Sequence, residues 1–362
     1  MNRIAIIDTA IDSRYIDGKV FEFYDLCGNA GIYDKNIISH GTVCAMVLDN
    51  CASDPYELIN IRIFENDKGK VFGEIETLAK ALKLCKELHI DIVSLSAVSS
   101  ILSDSEYIYD LTRELAKDMV IISALDNNEY ITVPTSYPHI LGVRSDIAGE
   151  LSSGELAYCA NDPFAANIYA NCDFLFLREI WQKPSNSYAV PVVAAFINSL
   201  ITQGISIRSM HAALKKLRGY PVQCDFESLI TLSEHKQVAI PIVLLINYST
   251  DMCCSMMDRI YKKYDVQSSA LSMSVETYDV RVREIKNVEA VNDDLSFMQR
   301  HYKTDIIFLI VLEEQLNTIR DNTDIDVELE YRKDRVIIKY ESAVEMVSEL
   351  EIVDRLYDVL TD

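Results

Sequence analysis

Residues 75–96 read IETLAKALKLCKELHIDIVSLS, and this stretch decides the fold class. Its first part places Ile75, Leu78, Ala79, Leu82, Leu84 and Cys85 at helical spacing, which predicts a helix over 75–88. The segment IDIVSLS (90–96) follows at once and reads as a buried strand. Upstream, Leu58 to Phe64 forms another apolar run and leads into the turn-like ENDKGK (65–70). Downstream, a helix over about 105–117 precedes the strand MVIISAL (119–125), and RIAII (3–7) supplies a strand near the start. Strands alternating with helices imply an α/β fold, a mostly parallel sheet covered by helices.

The pattern continues with a short strand over Ile140 to Arg144, after the turn signal TSYPH, and a candidate strand over Cys172 to Leu177. Residues 188–203 (YAVPVVAAFINSLITQ) are apolar almost all round, as in a helix buried on every side, and 206–218 read as an amphipathic helix. Gly219-Tyr220-Pro221 then marks a stop, and Ser233 to Gln237 a connector. A new series follows. It has a strand at 238–247 (VAIPIVLLIN), a helix near 251–264, a strand near 277–283, a helix near 292–302 and the strand TDIIFLIVL (304–312). VELEYRKDRVIIKY (327–340) reads as a hairpin turning at Lys333-Asp334, and the last twenty residues as an acidic amphipathic helix. The division expected is a catalytic-sized domain over 1–236 and a small α/β accessory domain over 237–362.

The formal net charge of -22 repels phosphate backbones and anionic lipid, so neither nucleic acid nor a membrane surface is an expected partner. A basic or neutral peptide is easier to attract. The start, MNRIAIIDTAID, lacks the pattern of a signal peptide, and the longest apolar run, Val238 to Asn247, is too short to span a bilayer. The expectation is a cytoplasmic protein. Its 9 cysteines are irregularly spaced, with no CxxC pair and no Cys/His cluster at zinc-ligand spacing, so reduced thiols and no metal or cofactor are expected. His89, His139, His211, His235 and His301 are scattered and read as structural or surface residues.

Three segments each put a reactive side chain at the edge of an apolar element. IIDTAID places Asp8 at the end of the first strand, SHGTVCAMV places His40 at the opening of a helix, and SNSYAVPVVAA places Ser187 at the start of the all-apolar helix. A serine hydroxyl needs a base to take its proton, histidine is the usual base, and a carboxylate fixes the histidine tautomer.

In the chain order Asp, His, Ser these segments resemble the subtilisin family of serine peptidases. IIDTAID looks like the motif D-T/S-G-[IV]-D, SHGTVCAMV like H-G-T-H-V-A-G, and SNSYAVPVVAA like G-T-S-M-A-S-P-H-V-A-G. The resemblance runs from about residue 3 to about residue 218. It implies a three-layer fold around a central, mostly parallel sheet, and a triad of Asp8, His40 and Ser187. The family's oxyanion asparagine lies in A-A-G-N-E, which VIISALDNNE (120–129) resembles. Matching the strand without a gap selects Asn127, the preferred choice, whereas matching the N-E pair selects Asn128. By the same resemblance Ser94, Leu95, Ser96, Ala97 and Val98 form an edge strand that pairs with bound peptide. Lys70 to Gly73 form the opposite rim, and Ala97–Ser99 with Ser123–Leu125 line a specificity pocket.

The chain departs from these motifs at Ala10, Val43, Cys44 and Ser185-Asn186. The dedicated subtilisin-like peptidases that remove leaders from ribosomally made, modified peptides (RiPP maturation) offer an analogy for a catalytic domain with an appended one. The partners expected are a precursor peptide, and a maturation enzyme or a second copy docking through 237–362. The alternative, to which Ser185-Asn186 points, is a catalytically inactive peptide-binding or assembly protein.

Overall fold

The structure, a computed structural model, describes residues 1–16, 20–27, 38–67, 70–221, 240–275, 277–285, 287–333, 335–341 and 343–361. They fall into two compact units, Met1–Ser99 with Asp104–Ser228, and Ser100–Ser103 with Leu229–Asp362. The boundary expected at 236/237 lies outside the described residues.

In the first unit the elements run β1 (Asn2–Asp8), β2 (Val20–Asp25), α1 (His40–Cys51), β3 (Tyr56–Arg62), β4 (Glu65–Asp67), β5 (Lys70–Phe72), α2 (Ile75–Glu87) and β6 (Ile92–Leu95). They continue with α3 (Ser105–Leu115), β7 (Val120–Ala124), β8 (Leu141–Ser145), β9 (Leu156–Tyr158), β10 (Ile168–Ala170), α4 (Leu175–Glu179), α5 (Asn186–Thr202) and α6 (Met210–Leu214). The main sheet has the order β2-β3-β1-β6-β7-β8-β10-β9 and is parallel except for β9. β4 and β5 form a separate antiparallel hairpin.

Alternation along the strands sorts side chains onto two faces. Ile4, Ile6, Leu58, Ile92, Ile122 and Val143 share one core with Val43, Val47 and Leu48 of α1 and with Val190, Val193 and Ile197 of α5. Ala5, Ile7, Ile59, Ile61, Val93 and Leu95 are buried on the other face. The three-layer α/β class expected from the sequence is the one observed.

Strand order places the site. β3 and β2 lie to one side of β1, and β6, β7 and β8 to the other, so the chain reverses its direction of winding between β1 and β6. In such sheets the crevice at the carboxyl ends of the strands, at that reversal, is the natural place for a ligand. Asp8 ends β1 there.

The second unit contains β11 (Ile242–Ile246), α7 (Thr250–Tyr264), β12 (Ser268–Ser272), β13 (Val282–Glu284), α8 (Val291–His301), β14 (Ile306–Val311) and α9 (Leu316–Asn322). β15 (Val327–Arg332), β16 (Arg335–Tyr340), β17 (Ala343–Ser348) and α10 (Ile352–Thr361) complete it. Its sheet order is β13-β12-β14-β11-β15-β16-β17, parallel as far as β15 and antiparallel beyond. A core of its own gathers Val243, Leu245, Met256, Ile260, Phe308, Ile338 and Leu356.

Several elements differ from the sequence reading, among them β2, β9 and α9, which it did not include, and β4 and β5, which it took as a turn. The strand expected over Cys172 to Leu177 is instead β10 upstream and helix α4, in which Leu177 is buried, as is the N-cap Phe174 three residues before it, while Leu175 is 76% exposed. β12 escaped notice because its buried residues are mostly serine. The last twenty residues contain strand β17 before the helix, since AVEMVS alternates. No helix among the described residues is long and apolar enough to cross a membrane.

Candidate active site

β1 delivers Asp8 and the first turn of α1 delivers His40. Ser39 caps α1 by accepting from the Thr42 N–H at 3.2 Å, and its hydroxyl donates to the Ala10 carbonyl at 2.6 Å. The Gly41 N–H donates to Thr9 Oγ1 at 2.8 Å. Helix and strand end approach so closely here that a Cβ on Gly41 would lie 2.4 Å from the Thr9 carbonyl oxygen. The Asp8 carboxylate, fully buried, accepts from the Thr9 N–H at 2.7 Å and lies 2.9 and 2.8 Å from His40 Nδ1. A carboxylate can only accept, so Nδ1 carries the proton and Nε2 is left with a lone pair.

α5 delivers Ser187 in its first turn. Pro191 inside this helix has no N–H, so the Ser187 carbonyl four residues back lacks its helical partner. The Cys44 thiol takes that place, its Sγ 3.9 Å from the Ser187 carbonyl oxygen. The same sulfur lies 3.9 Å from His40 Nδ1 and 3.7 Å from Ser96 Oγ. Cys44 thus joins the helix that carries His40 to the helix that carries Ser187. Burial of the His40 ring opposes charging it, but the Cys44 sulfur and the Asp8 carboxylate outweigh burial and raise its pKa above the usual imidazole value. Asp8, His40 and Cys44 hold ligand atoms within 4.8 Å of one another, the spacing of a metal site, yet the carboxylate and Nδ1 are already bonded to each other.

Ser187 Oγ makes no hydrogen bond to His40 among the described residues, a looseness common in unliganded active sites. The Ser187 N–H is one of the unpaired donors at a helix start, and it too has no partner among the described residues. Asn127, in the loop after β7, accepts from the Asn186 N–H through Oδ1 at 3.1 Å. An N–H pairs only with the amide oxygen, so the Asn127 amide group is oriented with Nδ2 left to donate. Asn128 sits one residue on, its N–H bonded to Asp126 Oδ2 at 2.6 Å. The Asn127 side chain thus lies against the start of α5.

Asn186 is the residue that sequence reasoning missed. It is 4% exposed, accepts from the Ser145 N–H through Oδ1 at 2.8 Å, and donates from Nδ2 to the Asp126 carbonyl at 3.2 Å. With its own N–H on Asn127, it ties the end of β8, the loop after β7 and the start of α5 together. Its place before Ser187 was visible in the sequence only as a departure from Gly-Thr.

The peptide-binding expectation needs correction at Ser94 and Leu95. They lie in β6, which pairs with β1 on one side and β7 on the other, so their backbone is already bonded and both are buried. An added strand finds free backbone only beyond Leu95. Ser96, Ala97 and Val98 extend past the strand end, and Ser99 pairs with Val133 in an antiparallel bridge. Gly73 follows β5 as an exposed residue, and a Cβ there would lie 2.9 Å from the Phe64 ring.

No family model matches the chain, and no curated protein matches it in sequence. Among solved structures it is similar to the prenylagaramide maturation protease PagA, at 16% identity and a TM-score of 0.36, over 56% of this chain and 77% of that one. It is similar to a lanthipeptide protease at 14% identity and a TM-score of 0.42, over 58% and 79%. A cold-adapted subtilisin-like serine proteinase aligns at 12% identity and a TM-score of 0.41, over 59% and 80%.

Proposed function

We propose that the chain is a serine endopeptidase working through an acyl-enzyme, with Ser187 as nucleophile, His40 as general base and Asp8 as the group that fixes the His40 tautomer. The observation that carries this reading is the buried Asp8 carboxylate on His40 Nδ1, with Ser187 held across Cys44 at the start of α5. Ser187 Oγ attacks the scissile carbonyl as its proton passes to His40 Nε2. The Ser187 N–H and Asn127 Nδ2 stabilise the oxyanion, and His40 then protonates the leaving amine. Water repeats the sequence on the acyl-enzyme.

The substrate class proposed is a precursor peptide from which a leader is removed in the cytoplasm. The second unit, which has a core of its own, is the part we propose docks the substrate, a maturation enzyme or a second copy. The test is cleavage of a peptide library by the purified full-length chain. Products absent with Ser187→Ala but present with wild type bear the reading out. Peptide binding without cleavage by wild type favours the inactive, peptide-binding alternative to which Ser185-Asn186 points.

A further inference from the structure

Tyr188 follows Ser187 at the position where the motif G-T-S-M-A-S-P carries methionine. It is 5% exposed, and its ring lies over the His40 imidazole with centroids 5.3 Å apart and planes 27° from parallel. Both ends of the side chain are held. The Tyr188 N–H bonds to the Ser185 carbonyl at 3.1 Å in the first turn of α5, and the hydroxyl donates to Gln182 Oε1 at 2.8 Å. Burial pushes the phenol up to about 12. The titratable groups facing His40 are therefore Asp8 from β1, Cys44 from α1 and Tyr188 from α5.

Asp8 fixes one edge of the imidazole but leaves its plane free to rotate about that bond. A stacked ring removes this freedom. The negative face of an aromatic ring also favours a cation over it, and imidazolium is the form His40 takes after accepting a proton. We propose that Tyr188 is a positioning residue for His40: its ring, tied down by Gln182, holds the plane of the imidazole and stabilises its protonated form. The inference rests on His40 being the general base.

The test replaces Tyr188 with phenylalanine and then with phenylalanines carrying more ring fluorine, which keep the shape and drain charge from the face. The titration of His40 is followed by NMR of labelled histidine, assigned with His40→Gln. Tyr188→Phe loses the Gln182 tether and lowers the midpoint to the same extent as Gln182→Ala, and fluorination lowers it further stepwise, by roughly half a unit to one unit at full fluorination. A midpoint that does not move across the series overturns the proposal. Gln182→Ala probes the tether without altering the buried ring. A lower His40 midpoint together with slower acylation by a fluorophosphonate supports the proposal, and an unchanged midpoint counts against it. The titration is readable whether or not peptide is cut. A midpoint that tracks fluorination while Ser187 never acylates therefore sinks the peptidase reading and leaves the Tyr188–His40 coupling standing.

Discussion

Asn127 and Asn186 divide one task between them. Asn186 fixes the loop, and Asn127, so oriented, is left with a donor to offer. Asn127→Ala should lower kcat by about 10²–10³-fold with KM little changed, because the donor acts only on the charge that develops in the transition state. Steady-state kinetics on any cleaved peptide check this. His40 must be neutral to accept a proton, and its pKa is raised, so kcat/KM should fall as pH drops through a value above about 6.5. At this scale Asp8, His40 and Ser187 were legible as motifs. Asn186 was not, because its value lies in contacts to Ser145 and Asp126, far off in the chain, and spacing carries no trace of them.

The elements that hold these residues were legible where periodicity was strong. α2, α5, β1, β6 and β7 stand within a few residues of their expected limits, because the helices carry a long apolar pattern and the strands are rich in β-branched residues, which CDFLFL lacks. α4 was misread because an apolar run as short as CDFLFL suits a strand or a helix equally. Ser94 and Leu95 were misplaced at an edge because strand order is settled by pairing across the sheet, and a single strand's sequence does not state its neighbours. The junction of α1 with β1 turns on Gly41. Gly41→Ala would force a Cβ to within 2.4 Å of the Thr9 carbonyl, and the backbone must move. The expected cost is about 1–3 kcal/mol of stability, as for overpacking elsewhere. A thermal melt reads this loss, and a drop in activity beyond it would show that Asp8 and His40 have been parted.

On the scale of the whole chain, the second strand-helix series after residue 218 led to the expectation of a second domain with a core of its own. That core exists, around Leu245, Met256 and Phe308, and it shares no residue with the core beneath α1 and α5. The net charge of -22 disfavours anionic partners. All of this depends on one claim, that Ser187 is a nucleophile activated by His40. The most direct measurement is reaction of the full-length protein with a fluorophosphonate, followed by mass mapping of the adduct. The adduct is expected on Ser187, to be lost in Ser187→Ala and to form far more slowly in His40→Ala. Intact, folded protein that acquires no adduct, or acquires it equally well without His40, would contradict the account.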